Sequence, residues 1–239
     1  MKIASYKKIV LLPNGISLFG KLYVPLDANT SEYVFIIPGI SQLGTNRYTA
    51  LQKFLAHNSI LSFSYDYQGI GESEGNIKKT TFLQLIENTK YLLKLFLKEY
   101  KNIYVIGYSI GGYISLRILS NLIDIKGLIL ISPPVFSKKA DNYYLDDNSR
   151  LYIKQKLQVN FSNIFNDLKK YKKNSLILFG NKDEKIDKKV INKYNLLESN
   201  KTKNIVINNG THALLNDKTA EEKKAKEDLF NNILNFIIK

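Results

Sequence analysis

Short runs of consecutive apolar residues alternate with longer amphipathic stretches along this chain, and that alternation restricts the fold more than any other feature. Tyr33–Ile37, Ile60–Tyr65, Ile103–Gly107, Leu128–Ile131, Ser175–Phe179 and Asn204–Ile207 read as strands. Side chains on a strand alternate between two faces, so a nearly unbroken apolar run means that both faces are covered. Between these runs the spacing changes. Phe82, Leu85, Ile86, Thr89, Leu92, Leu93, Phe96 and Tyr100 recur three and four residues apart, which predicts an amphipathic helix over Thr80–Tyr100. Helices are also predicted over Arg47–Asn58, Ile110–Leu122 and Ala220–Ile238. At the start, Ile9–Leu12 and Ile16–Val24 flank Pro13-Asn14-Gly15, a hairpin signal. The expectation is an α/β protein with an eight-stranded, mostly parallel sheet flanked by helices.

One segment breaks the rhythm. Residues 135–174 are polar, basic and aromatic, and far longer than the roughly two to six residues of an ordinary connection. They are expected to form a small, largely helical lid over the C-terminal edge of the sheet, where open α/β sheets bind ligands. Length, 239 residues without a low-complexity linker or internal repeat, suits a single domain over 1–239.

Composition removes several classes of function. The chain has no cysteine, so disulfide scaffolds, thiolate metal sites and a cysteine nucleophile are out. Its two histidines, His57 and His212, are too few for a multi-histidine metal centre. No cofactor is implied. The net charge of +14 invites a polyanion partner, but only Arg47, Arg117 and Arg150 are arginines, and nucleic-acid readers lean on the bidentate guanidinium. With 25 asparagines accompanying dispersed lysines, a solvated basic surface is expected, with no specific nucleic-acid partner. No apolar run approaches the ~18 residues of a membrane span, and the apolar run after the basic start is too short for a signal-peptide core. A cytoplasmic location is the expectation.

The chemistry converges on Gly107-Tyr108-Ser109-Ile110-Gly111, a G-x-S-x-G motif between a buried strand and a helix. That setting suits a serine on a sharp turn with its hydroxyl exposed at the sheet edge. A serine hydroxyl needs a base, and His212, just past the last strand, is the candidate. His57 falls at a helix end and reads as a surface residue. The base needs an orienting carboxylate, for which Asp183, just past the seventh strand, is chosen over Glu184 and Asp187. The developing oxyanion needs two donors. The backbone N–H of Ile110 and, in the loop Pro38-Gly39-Ile40-Ser41, that of Ile40 are expected to supply them, with Ser41 the next choice.

These residues and their order, with Asp66-Tyr67-Gln68-Gly69-Ile70-Gly71-Glu72-Ser73 as a D-x-R-G-x-G-x-S-like turn, resemble the α/β-hydrolase superfamily over nearly the whole chain. The combination of that turn with Gly75 and a small insertion after the sixth strand resembles the monoacylglycerol-lipase-like and feruloyl-esterase-like serine hydrolases. The resemblance implies the fold, the triad roles and cleavage of a small-molecule ester or thioester, with acyl transfer or peptide cleavage in some members. Two positions depart from the family: Pro38-Gly39 stands where His-Gly is usual, and Gln68 where arginine is usual.

A serine hydrolase acting on a carboxylic ester or thioester is thus the expected function. The alternatives are an acyltransferase or serine peptidase on the same triad, or an inactive binding protein of this fold. In the insertion, Phe136, Tyr143, Tyr144, Leu145, Tyr152, Phe161 and Phe165 are candidates for a substrate pocket or for burial against the sheet. Lys138, Lys139 and Arg150 are candidate contacts for an anionic substrate or simply solvated charges.

Overall fold

The structure, a computed structural model, describes residues 2–149, 151 and 162–238. Eight strands form one sheet in the order β1-β2-β4-β3-β5-β6-β7-β8. They are β1 (Ile3–Leu11), β2 (Ser17–Pro25), β3 (Tyr33–Ile37), β4 (Leu61–Tyr65), β5 (Ile103–Tyr108), β6 (Gly127–Ile131), β7 (Asn174–Gly180) and β8 (Thr202–Ile207). The hairpin β1–β2 is antiparallel, and β2 also meets β4 antiparallel. Every other pair is parallel, as the alternation predicts. Gly15 takes φ +83° in the hairpin turn, a conformation that glycine adopts without strain.

The sheet is covered by the helices α1 (Thr49–His57), α2 (Phe82–Glu99), α3 (Ile110–Arg117), α4 (Ser162–Lys170), α5 (Lys188–Asn195) and α6 (Ala220–Ile237). On one face, α1 and α6 pack on Val34, Ile36, Ile106, Ile129 and Leu178, with Phe54 and Phe230 in ring contact at 5.2 Å. On the other, α2, α3, α4 and α5 bury Phe35, Val105, Leu128, Leu130, Ile177 and Phe179. The strands β3, β5 and β6 are therefore apolar on both sides. Both long helices start at capping boxes, Thr81 with Gln84 and Thr219 with Glu222.

Two features exceed the sequence expectation. Strand β1 begins at Ile3 rather than Ile9: its residues are mostly exposed and carry no apolar pattern, yet they pair with β2 from Ile3↔Pro25 to Leu11↔Ser17. Helix α5 went unpredicted because it is short and polar and buries only Val190 and Tyr194, four residues apart. The predicted helix to Leu122 ends earlier, with α3 stopping at Arg117 and a 3-10 turn at Leu119–Asn121.

The insertion is less helical at its start than expected. A 3-10 turn, Lys138–Asn142, is followed by a bridge between Tyr144 and Thr81 at the start of α2. Asp141 is buried there, accepts from Tyr113 Oη at 2.7 Å and pairs with Arg117, so the insertion is tied to the helix α3. Farther on, Ile164, Phe165 and Leu168 of α4 are buried, and Phe165 packs on Tyr194. Arg150, Tyr152 and Phe161 lie outside the described residues.

Candidate active site

Ser109 occupies the single residue between β5 and α3. Its φ of 51° and ψ of −118° put a non-glycine residue in a strained region, a cost of roughly 1–3 kcal/mol that surrounding structure must hold. The surroundings do so. The Ser109 N–H donates to the Ile131 carbonyl at 2.8 Å, and its carbonyl accepts the first turn of α3 through Gly112 N–H. Gly111 is obligatory for space: a Cβ there would sit 2.0 Å from the Ile37 carbonyl oxygen.

The three side chains drawn from the ends of β5, β7 and β8 come together. Ser109 Oγ lies 2.9 Å from His212 Nε2. His212 Nδ1 lies 3.0 Å from Asp183 Oδ2 and 3.1 Å from Oδ1. The Asp183 side chain is wholly buried, while the histidine retains 14 % exposure. Burial alone would raise the Asp183 carboxyl. Hydrogen bonds from the His212 ring and the main-chain N–H of Lys185 outweigh it and hold the carboxyl below its ordinary value. The competing acids are placed elsewhere: Asp187 caps α5 by accepting from Lys189 N–H, and Glu184 is exposed. His57 is exposed at the end of α1, away from this cluster.

The loop after β3 lies against the serine. A Cβ on Gly39 would meet Tyr108 at 3.0 Å and Ser109 Cβ at 3.3 Å. Two tyrosines fix this loop: the Gly39 N–H donates to Tyr48 Oη and Tyr67 Oη donates to the Pro38 carbonyl, both at 2.7 Å. Gly39 N–H is thereby occupied, and Ile40 supplies the next amide. Ile110 is the first residue of α3, whose N–H groups have no partner within the helix. Among the described residues no main-chain acceptor takes the Ile40 or Ile110 N–H.

The turn after β4 has a substitute for the family's arginine. Gln68 is buried; its amide donates to Thr80 Oγ1 and its carbonyl accepts from Asn88 Nδ2 at 3.2 Å. A neutral amide network thus ties Gln68 to Thr80 and Asn88 where the family has an arginine.

A cleft of about 470 Å³ opens over Ser109. Ile40, Ser41, Ile110 and His212 line its floor. Phe82, Pro134, Phe136, Leu145 and Ile186 make an apolar wall, so of the described aromatic and apolar insertion residues Phe136 and Leu145 reach the cleft. Phe165 is in the core instead and Tyr144 is half exposed. Lys138 and Lys139 are exposed and do not line the cleft. Among the described residues the cations that do are Arg47 and Lys185, which sequence reasoning passed over. The available signal was the scarcity of arginine, one of three lying nine residues after Pro38. Among the described residues no group of three or more His, Cys, Asp or Glu gathers to hold a metal, and no helix is long and apolar enough to cross a membrane.

Residues 28–154, more than half the chain, match the family model described as serine aminopeptidase, S33 (Hydrolase_4). The chain belongs to this hydrolase family. The match spans β3 to the insertion and includes Ser109, while Asp183 and His212 lie beyond it. No curated protein matches the sequence. Among solved structures, the chain is similar to Est1E from Butyrivibrio proteoclasticus with ferulic acid bound (TM-score 0.71, 20% identity, 96% of this chain and 99% of that one). It is also similar to the esterase EaEST from Exiguobacterium antarcticum (TM-score 0.71, 13% identity, 98% and 100%). A third is a putative hydrolase from Agrobacterium vitis S4 (TM-score 0.69, 18% identity, 100% of both chains). At these identities the likeness speaks for the fold, that of the α/β hydrolases.

Proposed function

We propose that this chain is a serine hydrolase that cleaves a carboxylic ester or thioester through an acyl-enzyme on Ser109. The observation that carries this is the unbroken relay from Ser109 Oγ through the His212 ring to the buried Asp183 carboxylate. Its chemistry follows from the roles these groups can take. His212 Nε2 accepts the proton of Ser109 Oγ as that oxygen attacks the substrate carbonyl. The oxyanion forms between the N–H groups of Ile40 and Ile110. Asp183 holds the Nδ1–H tautomer and stabilises the imidazolium. The intermediate collapses, and His212 passes the proton to the departing alcohol or thiol. Water then attacks the acyl-enzyme, giving its proton to His212, and the acid leaves as Ser109 regains its proton.

The cleft favours esters over the peptide N-termini that the family description names. An aminopeptidase must bind a substrate ammonium, which calls for a carboxylate. The described lining of the cleft carries Arg47 and Lys185 and no acidic residue. The apolar wall suits an acyl or aryl group of moderate size.

Hydrolysis of p-nitrophenyl esters over a ladder of acyl lengths tests the reading. Wild-type protein is expected to turn over at least part of the ladder, and Ser109→Ala to lose on the order of 10⁵-fold in kcat. Equal turnover by the Ser109→Ala protein would sink the assignment.

A further inference from the structure

We propose that the cleft selects a substrate carrying a negative charge, a carboxylate or phosphate, which Arg47 binds with support from Lys185. The inference rests on the cleft being the substrate site proposed above, and adds the charge of the substrate to it.

Arg47 stands at the rim of the cleft that holds Ser109. It is half-buried, and its guanidinium lies over the Tyr108 ring, 5.4 Å from the centroid. One Nη donates to Tyr108 Oη at 3.3 Å. Those contacts position the guanidinium but leave its charge unanswered. No carboxylate among the described residues pairs with Arg47 or with Lys185, although other cations of the same structure, such as Arg117 and Lys126, do find carboxylates. Nor can the remaining side chains supply one: residues 150–161 contain no Asp or Glu. A half-buried arginine without a counter-charge, beside a reactive serine, is poised for an anion from outside. The guanidinium fork suits the paired oxygens of a carboxylate or phosphate.

The contact also reaches the reaction centre. Tyr108 Oη accepts from Arg47 and donates to the His212 carbonyl at 2.7 Å. The anion would therefore be held next to the segment that carries the base. The overall charge of +14 does not provide this selectivity, because a diffuse field attracts every anion and is screened within about 10 Å at 0.1 M salt.

The test measures binding in the Ser109→Ala protein, so that no ester is consumed. Calorimetric titration compares 3-acetoxybenzoate with its neutral isostere 3-acetoxybenzamide, which puts the charge on the leaving group. A second pair, the phenyl half-ester of glutarate and phenyl glutaramate, puts it on the acyl group. In at least one pair the charged ester is expected to bind about tenfold tighter or more. Adding Arg47→Gln should bring that ratio close to one, while Arg47→Lys keeps part of it. Each variant changes the net charge by at most one unit in fourteen, so a collapse of the ratio reports a local contact. Equal affinities in both pairs, or a preference unaltered by Arg47→Gln, would overturn the proposal. Because these titrations need no turnover, failure of the ester ladder would remove the hydrolase reading while leaving an anion preference visible here.

Discussion

The Ser109–His212–Asp183 constellation depends on one buried carboxylate, and Asp183 shows how. Its side chain is fully enclosed and still ionised below its ordinary range, because it accepts from His212 and from the main chain of Lys185 and Ile186. Asp183→Asn would present an amide donor to the Nδ1 side of the ring and favour the wrong tautomer. A loss of about 10⁴-fold in kcat is expected. Stability follows from the same shift. A carboxyl whose folded value is depressed stabilises the protein above the unfolded value, about 3.9, and that contribution disappears as pH falls through the folded value. Urea unfolding should therefore find wild type more stable than Asp183→Asn at pH 7, with a gap that closes in acid. A constant gap from pH 7 to pH 2 would contradict this. At this scale the sequence was informative where residue type and position coincided. Asp183 could be preferred over Asp187 because it lies closer to the strand end. The role of Gln68 could not be foreseen, since its partners Thr80 and Asn88 come from beyond the turn.

At the level of elements, apolar runs and helical spacing located the buried strands and the long helices because those elements owe their burial to pattern. Elements held by pairing or by a few contacts escaped it: the exposed first half of β1, and α5 with its two buried residues. The insertion is the harder case. Its start is anchored by polar groups, Asp141 against Tyr113 and Arg117, and composition does not reveal such a junction. That junction yields a prediction. Asp141→Ala leaves a largely buried guanidinium and a buried tyrosine hydroxyl without their acceptor, and should cost about 3 kcal/mol in chemical denaturation. The same variant should raise hydrogen exchange in Lys138–Asn142. A cost within ~0.5 kcal/mol of zero would show that the junction is dispensable.

Across the whole molecule, the fold places three residues that are 29 and 103 positions apart within hydrogen-bonding reach. The parallel part of the sheet does this by ending its strands at one edge, and the loops that follow β3, β5, β7 and β8 all open there. The sequence could place Ser109, Asp183 and His212 each just past the end of a strand, and the structure brings these three side chains together there. The cationic rim was not legible, since Arg47 acts through its place over Tyr108 rather than through a motif. The central claim is that Ser109 is an activated nucleophile, and reaction with a fluorophosphonate tests it most directly. The phosphorus should bond to Ser109 Oγ with loss of fluoride, giving one adduct per chain by intact mass, mapped to the peptide that contains Ser109. His212→Ala should slow the labelling by orders of magnitude, and Ser109→Ala should abolish it. Folded wild-type protein that stays unlabelled, or carries the adduct on another residue, would contradict the account.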